Sequence, residues 1–128
     1  MNETHFSESI EDYLEVIYSL SPGEEHVHLV DIAKKLNVKK PSVTSALNIL
    51  KEKDLIVYEK YKPVTLTEKG EALAIKIQEK HDLLKKFFTE ILGVESSKAN
   101  NIACKIEHLI DEGIASKLAS FIKAQEAK

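Results

Sequence analysis

Apolar side chains along the chain recur with a helical period over most of its length, and the period breaks in one short region. Ile10, Leu14, Ile17 and Tyr18 share one side of a helix from Ser9 to Leu20, with Ser9 placed to cap it. Ser21-Pro22-Gly23 stops that helix. His26-Val27-His28 reads as a short strand, and Leu29 to Leu36 as a second helix that Asn37 ends. Pro41 suits the first position of a third helix running to about Lys53, with Val43, Leu47 and Leu50 as its buried face. Leu55-Ile56-Val57-Tyr58 and Val64-Thr65-Leu66 flank a charged, aromatic turn, Glu59-Lys60-Tyr61-Lys62-Pro63, and predict a β-hairpin. Thr67 caps a long helix from about Glu68 to Leu92, which Gly93 stops. Ser96 or Ser97 opens another helix through about Asp111, Gly113 breaks it, and Ile114 to Gln125 forms the last.

The order helix, short strand, helix, tight turn, helix, hairpin is that of a winged helix-turn-helix. The expected class is therefore mainly α with a small β-hairpin wing. The third helix would enter the major groove of double-stranded DNA and the wing would lie on the backbone. Pro41 opens that helix; its outer face offers Ser42, Thr44, Ser45 and Asn48, flanked by Lys39, Lys40, Lys51 and Lys53, while Lys60 and Lys62 occupy the turn of the wing. Tyr58 and Tyr61 either contact phosphate or sugar, or simply pack the hairpin.

Charge supports this placement. The net charge of −3 conceals seven acids and no lysine in residues 1–28, against eight lysines and four acids in residues 31–62. Lysines neutralise phosphates and carry salt-dependent affinity. All 18 basic residues are lysines, so bidentate arginine–guanine contacts are impossible, and specificity is expected from small polar groups, water and DNA shape.

Composition narrows the remaining classes. With 128 residues, 43% apolar and 30% charged, the chain suits one compact domain or two small ones. No apolar run approaches a membrane span, and the acidic start does not read as a signal peptide. The single cysteine, Cys104, excludes an intramolecular disulfide framework and any zinc site built from several cysteines of one chain, and fits the cytoplasm. No HExxH, Gly-rich phosphate loop or Ser/His/Asp set is present, which argues against an enzyme and a small-molecule substrate.

Around Cys104, the helical period places Cys104, Glu107, His108 and Asp111 within one arc, opposite Ile102, Ala103, Ile106, Leu109 and Ile110. A thiolate, a carboxylate and an imidazole at i, i+3 and i+4 can converge on one cation. Elsewhere the bland reading is favoured. Asp12 and Glu15 read from spacing alone as a solvated acidic face, Glu8 and Glu11 likewise, and His81, at the edge of the apolar stripe of the long helix, as a satisfied core or rim residue; His5, His26 and His28 read as surface residues.

Ile10-Glu11-Asp12-Tyr13-Leu14-Glu15-Val16-Ile17-Tyr18 resembles the opening helix of the diphtheria-toxin-repressor family, most closely its manganese-transport-regulator branch. Val30-Asp31-Ile32-Ala33, Lys40-Pro41-Ser42-Val43-Thr44, Val64-Thr65-Leu66-Thr67-Glu68-Lys69-Gly70, His81-Asp82-Leu83-Leu84 and Ile106-Glu107-His108 follow in family order. The resemblance implies a homodimeric, metal-dependent repressor: a winged helix-turn-helix domain over 1–72, a helical dimerisation and metal-binding domain over 73–128, and metal bound between them. It further implies metal ligands at Asp12, Glu15, His81, Cys104, Glu107 and His108, a palindromic operator, and no SH3-like third domain. Cys104 is the iron-branch residue type and Asp12 the manganese-branch type, so the chain is a hybrid. Thiolate beside carboxylates ranks Fe²⁺ first with Mn²⁺ close behind, and the count of anionic groups favours two ions per subunit over one. The rival is a winged-helix regulator answering a small organic ligand without metal.

Overall fold

The computed structural model describes residues 8–21 and 27–128. The cap expected at Ser9, the stop at Pro22-Gly23, and the readings of His5 and His26 lie outside the described residues and side chains. The chain divides into two compact units, Met1–Ile75 and Lys76–Lys128. None of the described helices is long and apolar enough to cross a membrane.

In the first unit, α1 (Glu8–Leu20), α2 (Leu29–Leu36) and α3 (Lys40–Glu52) pack on one another. The hairpin β1 (Ile56–Val57) and β2 (Thr65–Leu66) follows them. Ile10, Leu14 and Ile17 of α1 meet Ile32, Val43, Leu47 and Leu50 in the core. Two expectations for α1 need correction: Tyr18 is half-buried while Tyr13 is buried, and Glu11, expected in solvent, is 7% exposed. The reason is that α1 packs against α2, α3 and β2 at once, so its buried arc is wider than the apolar stripe.

Turn chemistry sets the joints. Asn37 ends α2 in the left-handed conformation, φ 56°, which Asn tolerates better than other side chains. Lys39 is the cap of α3, so Pro41 takes the second helical position, not the first; its missing N–H costs nothing there because that turn has no intrahelical acceptor. The strands are shorter than the apolar runs suggest. They pair antiparallel with Ile56 opposite Leu66 and Val57 opposite Thr65. Val27 adds a single bridge, accepting from the Val64 N–H at 2.7 Å.

Thr67 ties the hairpin to α4 (Glu68–Lys86): its hydroxyl accepts from the Gly70 N–H at 3.0 Å and donates to the Asp54 carbonyl at 2.7 Å. Gly70 is obligatory, since a Cβ there would stand 1.9 Å from the Leu55 carbonyl oxygen.

In the second unit, α4 does not run unbroken to Leu92. Its last turn widens into a π-helical segment, Phe87–Ile91, closed by Leu92 N–H donating to the Phe87 carbonyl, and Gly93 at φ 71° ends it. The widened turn presents Phe87 edge-on to Phe88 and Phe121 at 5.6 and 6.2 Å. Both α5 (Ser96–Ile106) and α6 (Glu112–Glu126) pack on it. The helix α5 begins at Ser96, one of the two starts the sequence offers, and Glu95 before it is the cap, its carboxylate accepting from the Ser97 N–H.

Candidate metal centre and nucleic-acid interface

Ala74, Ile77, His81 and Leu84 repeat at three- and four-residue steps along α4 and are all buried, so His81 stands where the period calls for an apolar side chain. Of the two places that periodicity alone allows, core or rim, His81 takes the core: it is 7% exposed and held from both sides. Its Nδ1 lies 2.7 Å from Glu107 Oε1 and 3.7 Å from Cys104 Sγ, and its Nε2 lies 2.9 Å from Asn100 Oδ1. Asn100, Cys104 and Glu107 are spaced by four and three residues, the repeat that stacks side chains on one helical face.

The helix itself is shorter than the sequence suggests. Alpha-helical geometry stops at Ile106, and Glu107 is the cap residue. Asp111 therefore leaves the expected arc: its carboxylate accepts from the Ile114 N–H at 2.8 Å and caps α6. Gly113 lies inside the first turn of α6 and breaks nothing. Glu107 is 1% exposed, and its second oxygen lies 3.6 Å from Nε2 of buried His108. A carboxylate that deeply buried needs positive charge or donors around it. Here it sits between two imidazoles.

His81, Cys104 and Glu107 each offer a donor atom, and the three atoms lie within 4.8 Å of one another. Bonds of roughly 2.0–2.3 Å to a first-row divalent ion hold neighbouring donors at about 3 Å or a little more, so the set fits such an ion with small adjustments. Nitrogen, thiolate and carboxylate together suit Fe²⁺, Co²⁺ or Zn²⁺, and leave Mn²⁺ acceptable through the oxygen. Asp12 and Glu15 are half-buried, one turn apart on α1 in the other unit.

In the first unit a groove of about 710 Å³ gathers Lys40, Thr44, Asn48 and Lys51 of α3 with Lys60 and Lys62 of the wing. Six of the ten residues expected at DNA therefore line one surface. Lys39, Pro41, Ser42 and Ser45 are exposed on α3 and its cap but lie outside that lining. The Thr44 hydroxyl donates to the Lys40 carbonyl at 3.2 Å, so it faces the groove as an acceptor and a methyl group. Glu59 pairs with Lys62 at 2.8 Å; the lysine holds the Glu59 carboxyl below its ordinary value, and the carboxylate raises the Lys62 ammonium. Tyr61, at φ 66° and 90% exposed, stands at the tip with the Lys60 ammonium 5.1 Å from its ring centre.

Sequence reasoning missed His28 as a wall of this groove and Asn100 beside His81. Asn100 had a readable signal, its four-residue spacing to Cys104. His28 had none, because only folding brings it opposite α3.

A three-helix unit with a β-wing and a lysine-lined groove, followed by a helical unit in which nitrogen, sulfur and oxygen donors converge, defines a winged-helix DNA-binding regulator with a candidate cation site, buried at His81 and Glu107 and exposed at Cys104. Residues 5–64 match the iron dependent repressor N-terminal DNA binding domain, and residues 67–127 match the iron dependent repressor metal binding and dimerisation domain. The chain belongs to this family of metal-dependent transcriptional repressors, whose members are regulators and not enzymes.

It is 39% identical over 118 residues to an uncharacterized HTH-type transcriptional regulator of Methanocaldococcus jannaschii, covering 91% of this chain and 94% of the relative. To the HTH-type transcriptional regulator MntR of Lysinibacillus sphaericus it is 34% identical over 118 residues, covering 92% and 84%. Among solved structures it is similar to the manganese regulator SloR, with TM-score 0.79, 31% identity and coverage of 89% of this chain and 53% of that one. It is also similar to ScaR with bound Zn²⁺, with TM-score 0.77, 26% identity and the same coverage. The chain thus spans about half the length of these solved relatives.

Proposed function

We propose that this protein is a homodimeric repressor of metal-ion homeostasis in the cytoplasm, with Fe²⁺ or Mn²⁺ as co-repressor and a palindromic operator. Residues 1–72 bind double-stranded DNA and residues 73–128 dimerise and hold metal. His81, Cys104 and Glu107 are proposed ligands on their geometry; Asp12, Glu15 and His108 join them on the family resemblance, for one or two ions per subunit. The observation that carries this reading is the convergence of His81 Nδ1, Cys104 Sγ and Glu107 Oε1 within 4.8 Å of one another, with the imidazole and the carboxylate buried and the cysteine exposed. A protein gains nothing in its fold from burying a carboxylate beside a thiol unless something offsets its charge.

A bound divalent ion supplies that charge. Glu107 and Cys104 then sit together without repulsion, His81 and His108 are ordered beside them, and the arrangement that binds DNA is favoured to the extent that it binds the ion more tightly. Linkage requires DNA to strengthen metal binding by the same factor. On DNA, Lys40, Lys51, Lys60 and Lys62 meet phosphates, while Asn48 and Thr44 reach base edges.

Anaerobic operator binding with Fe²⁺, Mn²⁺, Zn²⁺ or chelator tests this function. Tight binding with Fe²⁺ or Mn²⁺ and loss on chelation are expected. Affinity that ignores chelation would replace this reading with a regulator that answers an organic ligand.

A further inference from the structure

We infer that Asn100 is a positioning residue of the metal centre, holding the His81 ring so that Nδ1 is the edge presented to the ion. The inference rests on the ligand reading of His81, Cys104 and Glu107. A neutral imidazole offers a metal one nitrogen and keeps its proton on the other, and the group bonded to that proton selects the tautomer and the ring orientation. The two edges of His81 are sorted in this way. Cys104 Sγ and Glu107 Oε1 are both on the Nδ1 side, at 3.7 and 2.7 Å. On the opposite edge the Asn100 carboxamide oxygen lies 2.9 Å from Nε2 and accepts its proton. Without that acceptor, the ring could turn over and aim Nε2 at the donors, displacing the coordinating atom.

Asn100 is half-buried and lies one helical turn before Cys104. One face of α5 therefore carries both a ligand and the group that aims a second ligand located on α4. The amide orients the ring without adding charge, whereas a carboxylate would make the imidazole a stronger donor.

The test uses Co²⁺ and Zn²⁺ with the full chain. For Asn100→Ala, Co²⁺ affinity should fall about 10- to 100-fold, the range for lost outer partners of a ligating histidine. The thiolate-to-cobalt charge-transfer band should persist and the metal-free melting temperature should stay near wild type. Asn100→Asp should restore affinity to wild type or better. In the Zn²⁺-loaded wild type, imidazole ¹⁵N spectra should show the His81 proton on Nε2. An Asn100→Ala affinity within twofold of wild type, failure of Asn100→Asp to rescue, or a His81 proton found on Nδ1 would overturn the positioning role. The last measurement needs no variant to fold. If wild type itself binds Co²⁺ without the thiolate band, the ligand reading fails instead.

Discussion

In the N-terminal unit the residues that matter for function stand in solvent and need not touch one another. In the C-terminal unit the proposed ligands must meet, and two of the three, His81 and Glu107, are buried. Lys40, Lys51, Lys60 and Lys62 line an open groove, and each can act on a separate phosphate. His81, Cys104 and Glu107 come from positions 81, 104 and 107, and their value lies in a separation of a few ångströms. A surface built from independent charges degrades gradually when one is lost. A convergent set loses its purpose with any single member. This contrast predicts how the two units respond to substitution.

The largest effect is expected at Glu107. Glu107→Gln keeps the shape but removes the anionic oxygen beside His81, and metal affinity should fall by more than about 100-fold, beyond the cost of losing an outer partner. Calorimetric titration with Co²⁺ reads this directly. A loss under tenfold would show that the donors do not act together.

Next comes Cys104→Ser, which should weaken the response to Fe²⁺, Co²⁺ and Zn²⁺ more than the response to Mn²⁺, because a hydroxyl is a poor substitute only for ions that favour thiolate. DNA binding across the four metals measures it. Equal loss with all of them would remove Cys104 as the selective ligand.

Gly70→Ala tests the fold of the groove side. The added methyl would meet the Leu55 carbonyl, so a loss of about 1–3 kcal/mol is expected in denaturant unfolding. An unchanged midpoint would mean that the start of α4 shifts freely.

Smaller still are single lysine changes. Lys40→Ala and Lys51→Ala should each lower the slope of log affinity against log salt by about one while metal affinity stays put. A collapse of binding from either alone would erase the contrast between the two units.

The smallest effect belongs to Glu59→Gln, which frees Lys62 and should raise DNA affinity slightly at low salt. Glu59 has a lowered carboxyl value in the folded protein, so its pairing contributes fully above the ordinary value of 4.5 and is lost as pH falls through the lower one. The effect of the substitution should therefore be constant around neutral pH and vanish in acid.

Much of the first unit was legible along the chain. Ile10, Leu14, Ile17, Val43, Leu47 and Leu50 announce their burial by spacing, because a helix repeats the same geometry at every turn. Asn37 and Thr67 announce their turns by chemistry. Less of the second unit could be read. The period that joined Asp111 to Cys104 assumed a helix that in fact ends at Ile106, and the capping carboxylate of Asp111 serves the next helix instead. Likewise Gly93 signals an end to α4, but nothing in Phe87–Ile91 signals a π turn, which arises where both later helices pack on it.

By itself the sequence determined the element order, the lysine-rich face and the residue types able to hold a metal, since these follow from local period, charge and composition. Only the tertiary structure decided that His81 is buried between Asn100 and Glu107, that Cys104 joins them, and that four lysines share a groove with Asn48. Those facts are distances between residues far apart in the chain, and packing, not local preference, sets them.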